Sequence, residues 1–187
     1  MITAAEQKFL LDVARSAIEA TVTGTAPPRP PAQGRLARPA AAFVSLHMGG
    51  ELRGCIGHLE EDGPLVHTIA ECARLACTED PRFPAVTAGE VHRLDVEISV
   101  LGPFQRVTSL EEVVVGRHGL LIEHKGRRGL LLPQVAAAYR WTAGVFLEQT
   151  CGKAGLPFDS WSRGAILYRF EAEVFGNRNG HGLATRD

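Results

Sequence analysis

The 187-residue sequence predicts an α+β fold, with a mainly antiparallel sheet flanked by helices. Leu94, Val96, Ile98 and Val100 alternate with Asp95, Glu97 and Ser99, the period of a half-buried antiparallel strand. Two short segments, Met48-Gly49-Gly50 and residues 125–128, lie between strand-like runs as hairpin turns. Helical patterns are mixed with these strands, without the regular alternation of a doubly wound parallel sheet.

Each element has its own warrant. Thr3-Ala4-Ala5-Glu6 is a capping box, and Phe9, Leu10, Val13, Ala14, Ala17 and Ile18 follow at helical spacing to about residue 20. Residues 22–40 hold Pro27, Pro28, Pro30, Pro31 and Pro39, which predicts an extended arm with polyproline II character. Residues 41–46 are apolar enough for a strand, and residues 51–58 read as its hairpin return. Leu65, Ile69, Cys72, Ala73 and Ala76 mark one face of a second helix. Asp80-Pro81-Arg82-Phe83-Pro84 cannot be helical throughout, because each proline disfavours the α region for its predecessor. Thr87–Glu90 and Ser109–Glu112 are further capping-box patterns, each expected to open a short helix. Residues 120–124 and 129–132 are expected to form a second hairpin. Pro133 suits the first turn of a helix to about Arg140, and a helix over 142–154 should stop at Gly155. A last strand is expected over residues 165–175, followed by a flexible tail over 177–187.

The balance of charge narrows the function classes. A formal net charge of −1 supplies no global field toward nucleic acid or an anionic membrane. No signal-peptide pattern opens the chain and no run is long enough for a transmembrane helix, so the expected location is the cytoplasm. Cys55, Cys72, Cys77 and Cys151 form no C-x₂-C pair and have no zinc-finger spacing to histidine, so no metal site is proposed and free thiols are expected. Cys72 and Cys77 fall on the apolar helical pattern as small core residues.

Residues 52–57, Leu-Arg-Gly-Cys-Ile-Gly, carry the strongest chemical signal. In a strand, Arg53 and Cys55 share one face, with the guanidinium about 7 Å along the chain from the thiol, where it would favour the thiolate. Gly54 and Gly57 leave room for a ligand or another backbone. Cys55 reads either as a nucleophile or as a small packed residue beside a structural Arg53 ion pair. Glu97 is a candidate general base, or one half of a cross-strand ion pair. His118 is a candidate proton carrier, or a turn histidine bonded to a backbone carbonyl. Asp80 and Arg82 either rim an anion site or latch a loop. No G-x-G-x-x-G, P-loop, H-E-x-x-H or G-x-S-x-G motif is present.

The hexapeptide resembles the signature of the AMMECR1 domain. Asp80-Pro-Arg-Phe-Pro84, Val96-Glu-Ile-Ser-Val-Leu101, His118-Gly-Leu120, Leu130-Leu-Leu-Pro-Gln-Val-Ala136 and Cys151-Gly-Lys-Ala-Gly-Leu-Pro157 with Trp161 support the resemblance in order. It implies one domain over residues 1–176, with two unequal lobes and a cleft lined by the hexapeptide. It implies a cytosolic protein, resembling AmmeMemoRadiSam system protein A, that acts with Memo-like and radical SAM partners. The radical SAM partner would carry its own iron–sulfur cluster, so no cofactor is expected on this chain. Cys55, Glu97 and His118 would do chemistry on a small-molecule or peptide ligand. Arg53, Gly54, Gly57, Asp80 and Arg82 would bind substrate or partner. The resemblance supplies no reaction. A non-catalytic docking module is the alternative reading, and a nucleic-acid-associated factor ranks behind it. Similar proteins often carry a glutamate after the final strand; here Gly176 stands near that place.

Overall fold

A computed structural model describes residues 1–27 and 29–177. The fold is α+β, with two four-stranded sheets. It divides into two compact units, the first comprising Met1–Leu101 with residues 173–177 and the second residues 102–172.

In the first unit, α1 (Ala4–Thr23) opens on the expected capping box. Thr3 Oγ1 accepts the Glu6 amide at 3.3 Å, and Glu6 Oε2 accepts the Thr3 amide at 2.8 Å. The helix runs past the expected stop and ends at Gly24, whose φ of 72° turns the chain out. The described arm residues up to Gln33 are non-helical, as the prolines require. A 3₁₀ turn, Gly34–Ala37, then buries Leu36 in the core, a detail the proline pattern does not announce.

β1 (Ala42–Met48) and β2 (Glu51–His58) form the expected hairpin. Gly49 and Gly50 close it with φ of 60° and 93°, the two left-handed residues that a twisted two-residue turn needs. β3 (Leu94–Leu101) pairs with the other side of β1, and β8 (Ala172–Gly176) completes the order β2-β1-β3-β8. α2 (Leu65–Thr78) packs with α1 and with β1 and β2. Leu10, Ile18, Val44, Leu46, Val66, Ile69 and Ile98 are completely or almost completely buried there. Each such side chain contributes about 2 kcal/mol of transfer free energy.

The second unit has its own core. Its sheet runs β4 (Gln105–Arg106), β7 (Ile166–Phe170), β5 (Gly119–His124), β6 (Arg127–Leu131). α3 (Pro133–Ala138) and α4 (Ala143–Lys153) close its apolar side around Leu120, Ile122, Phe146, Cys151 and Leu167.

Three expectations are corrected. The strand expected over 165–175 is two strands: β7 belongs to the second sheet, and one residue later β8 belongs to the first. Glu90 Oε2 accepts from the Thr87 amide and hydroxyl, each at 2.8 Å, but the Glu90 amide goes to the Thr87 carbonyl rather than its hydroxyl, so the box is half made and only a turn and a short 3₁₀ segment, Val91–Arg93, follow. β3 begins at Leu94 and leaves no length for an α-helix. Ser109–Glu112 likewise caps a 3₁₀ turn, Leu110–Glu112. The chain stays anchored through Asn177, whose side chain accepts the Val96 amide at 2.7 Å. The rest of the expected tail, 178–187, lies outside the described residues.

Candidate functional site

Register places the hexapeptide. Ser45 stands opposite Cys55 on one side and opposite Glu97 on the other. Directly opposed residues share a sheet face, so Cys55, Ser45 and Glu97 form one transverse row across three strands. The next row on that face is Gly57, Phe43 and Ser99. The opposite face carries the core residues Val44, Leu46, Val96 and Ile98.

The Ser45 hydroxyl donates to Cys55 Sγ at 3.2 Å. The Cys55 amide points away from β1, off the free edge of β2, and donates to Asp80 Oδ2 at 2.8 Å. That carboxylate is buried and is also gripped by Arg82, through its backbone N at 3.1 Å, Nε at 2.9 Å and Nη2 at 2.6 Å. The Arg82 hydrogen bonds, with help from the Cys55 amide, hold the Asp80 carboxyl far below the usual carboxylate range. Asp80 in turn keeps Arg82 charged, and Cys55 acts in the same direction. The cation coupled to the thiol is therefore Arg82, 48 % exposed, with its Nη1 unused among the described residues.

Arg53 makes a structural ion pair with Glu90. Its Nε and Nη2 donate to the two Glu90 oxygens at 2.9 and 3.2 Å, and Nη1 and Nη2 donate to the carbonyls of Pro84 and Ala85. Its side chain is 12 % exposed. Arg53 first, then Thr87, pulls the Glu90 pKa down to about 2. The guanidinium thus fastens the 84–90 loop.

The two glycines meet the protein's own atoms. A Cβ at Gly54 would lie 2.2 Å from the Ala76 carbonyl oxygen, so this strand approaches the α2 backbone closely. A Cβ at Gly57 would lie 2.2 Å from Phe43 Cδ1, so the Phe43 ring lies across Gly57. Gly176 is also tight, though less so, with a Cβ falling 2.8 Å from the Val96 carbonyl oxygen, so no glutamate fits there without movement.

His118 belongs to the second unit. Its Nδ1 accepts the Val114 amide at 3.0 Å while its own amide donates to the Val114 carbonyl at 2.9 Å. It is thus a turn histidine, its ring accepting from the Val114 N–H while the Glu112 backbone carbonyl also acts on it. Burial, then the charges of Arg169 and Arg117, push its pKa down, leaving a neutral ring with its proton on Nε2. That nitrogen is 4.0 Å from Glu171 Oε1, beyond hydrogen-bond reach.

The other thiols are sealed. Burial drives Cys72 up to about 12, and raises Cys77 and Cys151 as well. Cys55 alone of the four is not buried. Ser45 and Glu90 are the partners that sequence reasoning misses. Glu90 has a capping-box signal, but only pairing register can find Ser45. Among the described residues no three His, Cys, Asp or Glu side chains gather as a metal-binding group, and no helix is long and apolar enough to cross a membrane.

The AMMECR1 family profile matches residues 11–175. A protein of Methanosarcina mazei is 37% identical over 192 residues, covering 97% of this chain and 96% of the relative. One of Methanothermobacter thermautotrophicus is 42% identical over 181 residues, covering 91% and 93%. The crystal structure of an uncharacterized protein from Pyrococcus horikoshii is similar with a TM-score of 0.89 and 36% identity, covering 94% of this chain and 93% of that one.

Proposed function

The chain belongs to the AMMECR1 family, and we propose that it is a thiol-bearing accessory protein whose working surface is the Cys55–Ser45–Glu97 row. The observation that carries this is the Ser45 hydroxyl donating to the sulfur of the one cysteine that is not buried. A thiolate gains from such a donor, and Arg82 adds a cation on the same loop as the carboxylate that grips the Cys55 amide. In this reading Cys55 Sγ adds to a polarised double bond of a small ligand: the S–C bond forms as the π bond breaks, the thiol proton moves by way of Ser45 and Glu97 to the ligand atom that takes the π electrons, and Arg82 Nη1 receives an anionic group. Asp80 and Arg53 act by position, holding the strand and the loop. Strand addition at β2 is the poorer reading, because Asp80 already occupies the Cys55 amide on that edge.

The reading extends to a Memo-like protein and a radical SAM protein as partners in the cytoplasm, and family membership is what supports that extension. Immobilised chain should retain both purified partners, and binding of neither refutes the extension without touching the thiol.

The thiol is tested by alkylation of the native protein with iodoacetamide across pH, following Cys55 by mass spectrometry. The expected rate rises with a midpoint well below 8.5, the value of a free thiol, and Ser45→Ala moves the midpoint upward. A Cys55 that stays unmodified in the folded protein sinks the proposal.

A further inference from the structure

The second unit holds an aromatic platform that the thiol site does not use. α3 ends in a Schellman motif: the Trp141 amide donates to the Ala136 carbonyl at 3.0 Å and the Arg140 amide to the Ala137 carbonyl at 3.1 Å. The residue at the turn of such a motif is left-handed and usually glycine. Here it is Arg140, at φ 53°. A side chain is strained in that conformation, so the position keeps its guanidinium at the expense of stability. On either side stand Tyr139 and Trp141, stacked with centroids 5.0 Å apart and planes 13° from parallel. Trp141 packs against the second core, while Tyr139 is 68% exposed. A rigid ring backed by a core-anchored indole thus faces solvent beside an exposed arginine.

The chain-wide charge of −1 conceals an asymmetry. Residues 102–172 carry nine Lys and Arg against six Asp and Glu, a local surplus of three positive charges. A polyproline segment could also stack on Tyr139. The arm of a second copy is a poor occupant, because residues 24–35 hold Arg29 and Arg35 and no acidic residue. An anionic chain that bears planar rings matches both the ring and the charge.

We propose that Tyr139 and Arg140 form a stacking site for a base of single-stranded nucleic acid, with the Arg140 guanidinium on the adjacent phosphate. The test is fluorescence anisotropy of labelled 12-mer oligodeoxythymidylate and oligodeoxyadenylate with the full chain at low salt. Binding should weaken with added salt, and Tyr139→Ala should weaken it about tenfold. Arg140→Gly should weaken it several-fold and lower the salt slope by about one, while raising the thermal midpoint by a few degrees as strain is removed. That opposition separates a binding residue from a structural one. No binding at low salt, or unchanged binding in both variants, overturns the proposal. Competition by a mononucleotide as effective as the 12-mer at equal base concentration overturns the strand assignment.

Discussion

Gly54→Ala tests how the hexapeptide is held. The added Cβ would sit 2.2 Å from the Ala76 carbonyl oxygen, and ordinary contact begins at 3.4 Å, so the strand and α2 must part by roughly 1.2 Å. The obstacle is backbone, inside a helix whose Ile69, Cys72, Ala73 and Ala76 are all buried, so no rotamer change relieves it. Overpacking of this kind costs about 3 kcal/mol. For a chain of this size that lowers the thermal midpoint by roughly 6–12 °C. Urea unfolding followed by circular dichroism reads the same loss as a lower midpoint. Gly57→Ala is the matched control. Its clash is with the Phe43 side chain, so Gly57→Ala combined with Phe43→Leu should recover most of the stability, whereas trimming Ala76 to glycine should not rescue Gly54→Ala. The clash also reaches chemistry, since α2 leads within two residues to Asp80 and its bond to the Cys55 amide. Gly54→Ala should therefore change the alkylation rate of Cys55. A variant within about 0.5 kcal/mol of wild type would refute the close-packing argument.

The remaining predictions are shorter. A thiol-specific chromogenic reagent should modify one cysteine rapidly in the native protein and all four in denaturant; fast reaction of Cys72 or Cys151 would contradict their burial. Asp80→Ala should cost about 3 kcal/mol in urea unfolding, because it strips the Cys55 amide and Arg82 of one shared acceptor; a loss below about 1 kcal/mol refutes that role. Glu90 is lowered to about 2 in the fold from an ordinary 4.5, so its contribution is complete above 4.5 and is lost as pH falls toward 2. Glu90→Gln should flatten that part of the stability profile, and an unchanged acid limb argues against the Arg53 pair. His118, lowered from 6.5, binds its proton more readily when unfolded, so it makes stability fall as pH drops below 6.5; His118→Gln should remove that slope.

Local pattern made the strands legible and long-range pairing made the site. β2 and β3 are bounded by turn residues and by strict alternation, and both bounds match the structure residue for residue. Residues 165–175 kept one strand-like pattern across two sheets, because the change of partner at Glu171 leaves no mark on hydrophobic periodicity. Ser45 looks like a stray polar residue in an apolar run until register sets it between Cys55 and Glu97. Simple alternation puts Arg53 and Cys55 on one strand face, but the register skips Arg53 between Leu52 and Gly54, a bulge that alternation cannot foresee. Glu90, 37 residues on, claims the guanidinium, and Arg82 becomes the cation coupled to the thiol. The same Glu90 explains why its capping box never grew a helix. Its carboxylate closes the turn at Thr87 and anchors Arg53 at once, and the chain must reach β3 four residues later. A capping motif worth about 1 kcal/mol cannot outweigh a strand that buries Leu94, Val96 and Ile98. The loop that carries Asp80, Arg82 and Glu90 is therefore shaped by what it grips in β2 rather than by its own helical propensity.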